Sequence, residues 1–236
     1  FFRVEQKLED GSFRSIQDVS TTLGANIYNL ESDREYVYRV AAYDQLGNRG
    51  RVSEEITART QADTTAPVIT AMKPNAGYYN KEIPVRITAT DNTGIASVLI
   101  QTSDNAVIWN DYKTVNFGGT NKAETVAENI SLEGYAEGNL YIRGIAKDKK
   151  GNSSDSSDKA PYVQYIVDRT APKAPKNFKS NAVTGAIELE WDMGEEADLD
   201  GYTLYRSLDG EQYSVLAKGL HSVNYWDRSV KKDTCY

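Results

Sequence analysis

Residues 146–152 read Ala-Lys-Asp-Lys-Lys-Gly-Asn and residues 42–48 read Ala-Tyr-Asp-Gln-Leu-Gly-Asn, so that Ala, Asp, Gly and Asn recur at the same places. The two aspartates, Asp44 and Asp148, are 104 positions apart. A second motif also occurs twice, and the spacing between its two copies is nearly the same. Asp63 begins Asp-Thr-Thr-Ala-Pro, and 105 positions later Asp168 begins Asp-Arg-Thr-Ala-Pro. Two unrelated motifs with one period predict modules of about 100 residues, each large enough to bury its own core.

Composition and short alternating stretches predict strands. The 236 residues include 16 Tyr and 3 Trp, and residues that favour strands, such as Val, Ile and Thr, are frequent. Residues 83–89 alternate with a period of two, which predicts that Ile83, Val85 and Ile87 point inward. Pro84 lacks an N–H group and is therefore expected near a strand start or on a sheet edge.

Tight turns are predicted between the strands. Asp10-Gly11 and Asp209-Gly210 are hairpin signals, because Gly readily adopts the positive φ angles that such turns need. No segment keeps an apolar helical period over three turns. The sequence therefore predicts an all-β fold built as tandem β-sandwiches, which the family resemblance described below identifies as immunoglobulin-like.

The Pro residues of the second motif mark predicted joints. Pro67 and Pro172 hold the residue before them extended and stiffen the connection. The chain is accordingly divided into three segments, residues 1–62, 63–170 and 171–236.

The two outer segments are alike. Gly11 and Gly210 are 199 positions apart, and Tyr36 and Tyr236 are 200 positions apart. In this alignment the first segment lacks its opening strands and the third lacks its closing strands. The stretch is therefore expected to be internal to a longer chain.

Trp191 and two spacings carry a family resemblance in the outer segments. Trp191 matches the core tryptophan in the second strand of fibronectin type III modules. Leu30 with Tyr36 matches the tyrosine corner of that family, and Val230 with Tyr236 matches it with Val in place of Leu. The resemblance implies a partial fibronectin type III-like module in each outer segment.

The middle segment, residues 63–170, resembles a bacterial immunoglobulin-like module. The resemblance rests on its Asp-Thr-Thr-Ala-Pro entry, on residues 89–95 (Ala-Thr-Asp-Asn-Thr-Gly-Ile) and on the motif at residues 146–152. The paired Cys of antibody domains are missing, so only the sandwich is implied. Together the resemblances point to a large secreted or wall-associated bacterial protein.

Charge and cysteine content limit the classes of function. A net charge of −7 argues against nucleic acid or an anionic membrane surface as partner, because both need a basic face. No apolar run is long enough to insert into a membrane. The single Cys235 cannot form an intrachain disulfide, which fits cysteine-poor bacterial surface modules and is also compatible with a cytosolic location. An extracellular, secreted or wall-associated location is expected.

The resemblance implies a non-catalytic spacer or stalk with interaction modules, in a multimodular bacterial extracellular protein. Its expected partners are flanking modules of the same chain, and a glycan, host protein or cell-surface protein. Two alternatives remain open. One is a carbohydrate- or protein-binding accessory module of a secreted glycoside hydrolase or adhesin. The other is a module of an Rhs/YD-repeat wall-associated toxin.

No catalytic, cofactor-binding or metal-binding residue is assigned from the sequence. His221 is the only histidine and Cys235 the only cysteine, too few for a nucleophilic triad or a zinc site. Calcium is the one cofactor considered, at the acidic residues 195–200. Asp44 and Asp148 are also candidate ligands, but capping their own turns is the favoured interpretation.

Exposed aromatic side chains are the other candidate site. Trp109 and Tyr112 lie in a polar stretch, and Tyr78 and Tyr79 follow a Gly in a predicted loop. Aromatic rings in such places can stack on sugars, so these four are candidate ligand-binding residues, whereas Trp191 is expected in the core. A pair of carboxylates acting as a glycosidase is the enzyme alternative.

Overall fold

The computed structural model describes residues 1–20, 24–155 and 160–231, which form only β-strands and loops. The predicted all-β class is confirmed. No helix among the described residues could cross a membrane. The chain divides into two compact units. The larger contains residues 1–77, 81–133 and 139–165, and the smaller contains residues 78–80, 134–138 and 166–236. The three predicted segment boundaries stay a prediction.

The first five strands form one antiparallel sheet. They are β1 (Phe2–Lys7), β2 (Phe13–Val19), β3 (Glu35–Tyr43), β4 (Arg49–Val52) and β5 (Ile56–Arg59). The order is β2-β1-β3, and β4 and β5 both pair with β3. One face carries the buried cluster of Val4, Val19, Tyr36 and Tyr38. Gly11 has a φ of 82° in the β1–β2 hairpin, as its sequence position predicts.

Tyr36 makes the tyrosine corner that its spacing predicts. The backbone N–H of Glu31 donates to the Tyr36 hydroxyl at 2.9 Å, and Leu30 packs against the buried cluster. This bond fixes the chain where it enters β3. The second predicted corner cannot be compared, because Tyr236 lies outside the described residues, as does Cys235.

The next eight strands form two sheets. They are β6 (Val68–Lys73), β7 (Tyr78–Tyr79), β8 (Glu82–Thr90), β9 (Ile95–Ser103), β10 (Asn110–Asn116), β11 (Ala123–Ser131), β12 (Gly138–Asp148) and β13 (Tyr162–Val167). One sheet has the order β11-β8-β6 and the other β10-β9-β12-β13-β7, in which β7 runs parallel to β13. This strand order is that of an immunoglobulin-like sandwich.

Strand β8 shows why residues 83–89 alternate. Ile83, Val85 and Ile87 are almost fully buried, as predicted. Pro84 lies near the start of β8, and β6 pairs with β8 only as far as Arg86, so the missing N–H breaks no bond to that strand. The pattern therefore sets both the buried face and the position of the proline.

The last five strands form two small antiparallel sheets. They are β14 (Lys179–Val183), β15 (Ala186–Glu190), β16 (Tyr202–Arg206), β17 (Ser214–Leu220) and β18 (Asn224–Asp227). The orders are β14-β15-β18 and β16-β17. Trp191 follows β15, is 5% exposed and lies against Tyr202, with 5.3 Å between ring centroids. Its predicted place in the core is confirmed.

Candidate functional site

The repeated motif folds into the same turn twice. One carboxylate oxygen of Asp44 accepts bonds from backbone N–H groups two and four residues later, and the other accepts from the Asn48 side chain. Asp148 makes the same bonds with its own turn and with Asn152, and all six distances are 2.7–2.9 Å. The prediction that both aspartates cap their own turns is confirmed.

The second copy differs from the first because other acids converge on it. Asp148 is 3% exposed at the end of β12. Asp63 comes from the predicted joint before β6, and Asp91 from the loop between β8 and β9. One carboxylate oxygen from each of the three lies within 4.8 Å of those of the other two. We call these three side chains the acidic cluster.

Asp63 ties the predicted joint to two loops of the sandwich. Its Oδ1 accepts from the Thr65 backbone N–H at 3.0 Å and from Asn92 Nδ2 at 3.1 Å, and its Oδ2 accepts from Thr93 Oγ1 at 2.6 Å. Its backbone carbonyl accepts from Asn152 Nδ2 at 3.1 Å. The hydrogen bond from the Thr93 hydroxyl is the main cause that lowers the pKa of the Asp63 carboxyl.

Asp91 uses only one of its two carboxylate oxygens. Its Oδ1 accepts from the Thr93 backbone N–H, from Thr93 Oγ1 and from the Gly94 backbone N–H, each at 2.8 Å. Its Oδ2 is buried and has no hydrogen-bond partner among the described residues. The loop therefore holds the carboxylate rigidly and leaves one buried oxygen without a partner.

Charges of the first segment lie near the turn that contains Asp148. The pKa of the Glu31 carboxyl is lowered, chiefly by the hydrogen bond from Arg34, with a further contribution from the positive charges of Lys149 and Lys150. Lys150 also contributes to lowering the pKa of Asp33, after the main effect of its Arg59 partner. Positive charge on this turn thus contributes to stabilising the ionised acids that precede β3.

An aromatic cluster surrounds Trp109. Its ring centroid is 5.8 Å from that of Tyr162, and Tyr162 meets the edge of Tyr141 at 5.6 Å. The Arg143 guanidinium lies 4.3 Å from the centroid of the Trp109 ring. Tyr162 is 52% exposed, whereas Trp109 and Tyr141 are partly buried. We call Trp109, Tyr141, Tyr162 and Arg143 the aromatic cluster.

Polar contacts hold Arg143 in place below the tryptophan ring. Arg143 Nε donates to Gln101 Oε1 at 2.8 Å, and Gln101 Nε2 donates to Asp111 Oδ1 at 2.6 Å. These residues come from β12, β9 and β10, which are neighbours in the five-stranded sheet. The ring of Trp109 therefore rests on a supported side chain.

The sequence singled out Trp109 but missed its neighbours. Tyr141 and Arg143 alternate with the buried Ile142 along β12, so the period of two already placed them on the outer face. Tyr162 begins β13, and its ring contacts those of Trp109 and Tyr141, which are far away in the sequence. Only the order of the strands brings the three rings together.

The other predicted aromatic residues lie in different surroundings. Tyr112 is partly buried in β10, at a register irregularity in its pairing with β9. The predicted loop position of Tyr78 and Tyr79 is wrong, because they form β7, whose backbone pairs with Ile166 and Val167 at the end of β13. Tyr78 is exposed and Tyr79 partly buried. Their proposed role in ligand binding stays a prediction.

The acidic residues 195–200 do not form a comparable cluster. Glu195, Asp198 and Asp200 belong to no group of three close ligand atoms among the described residues, and Glu196 Oε1 accepts from the Lys173 backbone N–H at 3.1 Å. Among the residues that the structure describes, the acidic cluster is the only such group of acid, His or Cys side chains. His221 is exposed and follows β17.

Comparisons with known proteins add a fold-level likeness. No protein-family model and no curated protein matches the chain. Sixty-eight chains of known structure do match. One is the crystal structure of the FN1–FN3 domains of chicken CNTN1, which is 13% identical, with 99% of this chain and 80% of that chain covered and a TM-score of 0.44. Because this TM-score is low, the assignment of the fold depends on the strand order described above and not on this likeness.

Proposed function

We propose that this stretch is a non-catalytic spacer, carrying interaction surfaces, in a multimodular extracellular bacterial protein. The observation that supports this best is the anchoring of Asp63, since a joint residue makes side-chain bonds to Thr93 and Asn92 and a main-chain bond to Asn152. A flexible linker makes few such bonds, because each one fixes chain conformations at an entropic cost.

Residues on both sides of the joint add to its stiffness. Thr60, just before it, bonds back to the first sheet through the Arg34 N–H, which donates to Thr60 Oγ1 at 3.0 Å. The Asp33 N–H donates to the Gln61 carbonyl at 3.0 Å. Pro67 then restricts the residue before it. Together these contacts favour a fixed direction of the chain between β5 and β6.

A spin-label distance measurement tests the spacer. Labels on the exposed Ser15 and Thr114, in a Cys235→Ser background and with chelator present, should give one narrow distance distribution. Asp63→Ala should broaden it, because the variant removes the bonds from Thr65, Asn92 and Thr93.

The matched control is Asp168→Ala. Asp168 begins the later copy of the stretch that Asp63 also begins, and it accepts from the Thr170 N–H at 2.8 Å. This variant therefore removes the equivalent local turn at a different place in the chain. It should leave the distribution narrow. A distribution that is already broad in the parent chain, or one that Asp63→Ala does not change, contradicts the spacer.

A second candidate function, glycan binding, is favoured by the aromatic cluster. Sugars stack on exposed rings, and Tyr162 offers one beside Trp109, while Arg143 and Asp111 supply a donor and an acceptor nearby. One face of Trp109 is already covered by Arg143, so a sugar would use Tyr162 or the opposite face of the indole.

Alanine substitution tests this second function. If a glycan array gives a binder, Trp109→Ala and Tyr162→Ala should each weaken it by about 10-fold or more, as expected for residues central to an interface. Trp226→Ala is the control, since Trp226 is a partly exposed tryptophan of β18 outside the cluster. A blank array, or equal losses in all three variants, rejects glycan binding at this site.

A further inference from the structure

The acidic cluster concentrates negative charge in a small volume, and no described basic side chain pairs with it. Asp63, Asp91 and Asp148 bring carboxylate oxygens within 4.8 Å of one another, and Asp148 is 3% exposed. None of the three forms an ion pair within the described parts of the chain. Like charges at this separation repel, and burial makes the repulsion stronger.

The unpartnered oxygen of Asp91 is a second observation that favours a bound ion. Asp91 Oδ2 is shielded from solvent and accepts no hydrogen bond from a described residue. A buried charged oxygen in this state costs more than an ordinary lost hydrogen bond, so it calls for a specific explanation, such as a bound ion. The bonds that the Thr93 and Gly94 backbone N–H groups donate to Oδ1 keep the carboxylate from turning to find another partner.

The Thr93 hydroxyl shows the same shortage of positive charge. Thr93 Oγ1 is 2.6 Å from Asp63 Oδ2 and 2.8 Å from Asp91 Oδ1. A hydroxyl carries a single proton, so it can donate to only one of these oxygens at a time. The other short contact joins two oxygens with no proton between them, and a nearby cation would offset its repulsion.

We propose that Asp63, Asp91 and Asp148 bind a calcium ion. Calcium takes six to eight oxygen ligands at about 2.3–2.6 Å, so two of its ligands lie no more than about 5 Å apart, as the cluster requires. Calcium also tolerates irregular ligand sets, whereas magnesium demands a near-ideal octahedron. Main-chain carbonyls and water would complete the shell.

The ion would join three parts of the chain that are distant in sequence. Asp63 lies in the predicted joint, Asp91 in the β8–β9 loop and Asp148 in the repeated turn. Calcium would therefore connect the segment that precedes β6 to two loops of the sandwich. The binding site stands on the carboxylates alone and does not require the spacer role.

Calorimetric titration of the full chain with calcium chloride, after treatment with chelator, tests the site. We expect one ion per chain, with a dissociation constant of about 10⁻³ M or tighter, as in extracellular modules. Calcium should also raise the melting temperature, because it binds only the folded state. Magnesium at equal concentration should give neither effect.

Asp91→Asn is the sharpest variant, because asparagine keeps an oxygen for the three bonds to Oδ1 and replaces the unpartnered oxygen by an amide. Calcium affinity should fall at least about 10-fold, since it follows the number of charged ligands. Without calcium the variant should melt at the same temperature as the parent or higher, because one charge of the cluster is gone.

Asp44→Asn is the matched control. Asp44 makes the same turn as Asp148 but is no member of the acidic cluster, so calcium affinity should not change. If Asp91→Asn fails to fold by circular dichroism, Asp63→Asn replaces it with the same expected loss. The proposal is overturned if the parent chain binds no calcium at millimolar concentration, if magnesium binds equally well, if the cluster variants keep full affinity, or if Asp44→Asn loses as much.

Discussion

Ile87→Ala should lower the free energy of unfolding by about 2–5 kcal/mol, the usual cost of truncating a large buried aliphatic residue. Ile87 is fully buried in β8, the central strand of its three-stranded sheet. Urea denaturation followed by circular dichroism measures the change. Val68→Ala is the control in the same sheet, since Val68 is exposed in the neighbouring β6 and should change stability little.

The loss of stability caused by Ile87→Ala should depend on which residue occupies position 144. A β-carbon at Gly144 would lie 2.7 Å from Ile87 Cγ2 and 3.1 Å from Ile87 Cδ1, so Gly144→Ala alone should cost about 1–3 kcal/mol by overpacking. Ile87→Ala removes both of these atoms. The double variant should therefore lose clearly less than the sum of the two single losses. Additive losses would show that the two residues do not share this space.

Gly94→Ala is expected to have the other large effect, about 3 kcal/mol or more. Gly94 has a φ of 143°, and a β-carbon there would lie 2.4 Å from the carbonyl oxygen of Gly119 and 2.8 Å from its carbonyl carbon. Both are backbone atoms, so no side chain can turn away to make room. The same denaturation measurement applies.

Gly138→Ala separates the two causes of that loss. Gly138 has a φ of 114°, and a β-carbon there would meet no atom within 4 Å, so this variant carries the conformational cost without the collision. It should lose about 1–3 kcal/mol. A Gly94→Ala variant that loses no more than Gly138→Ala would contradict the collision. Because Gly94 also donates to Asp91, its replacement should weaken any calcium site there.

Local patterns predicted much of the fold. The alternation of Ile83, Val85 and Ile87 records a strand with one buried face, and the φ values of Gly11 and Gly210 follow from hairpin geometry. Tyr36 could be placed because its hydroxyl bonds a residue only five positions away. Each of these signals lies within a short stretch of chain.

The candidate sites depend on long-range contacts that one sequence does not show. Asp63, Asp91 and Asp148 each have a local turn to explain them, and only the folding of the two sheets brings the three together. Trp109 was recognisable by its polar surroundings, but Tyr162 becomes its neighbour only through the position of β13. Such sites need the strand order before they can be found.

The parallel pairing of β7 with β13 has a mechanical consequence. Tyr78 and Tyr79, on the entering chain, pair with Ile166 and Val167, on the leaving chain, and the Asp168 N–H donates to the Tyr79 carbonyl at 2.9 Å. Once β6 has separated from β8, tension applied along the polypeptide would pull these two strands past each other in shear. The bonds between them would then bear the load together and break together, whereas a hairpin pulled from its open end would unzip one bond at a time.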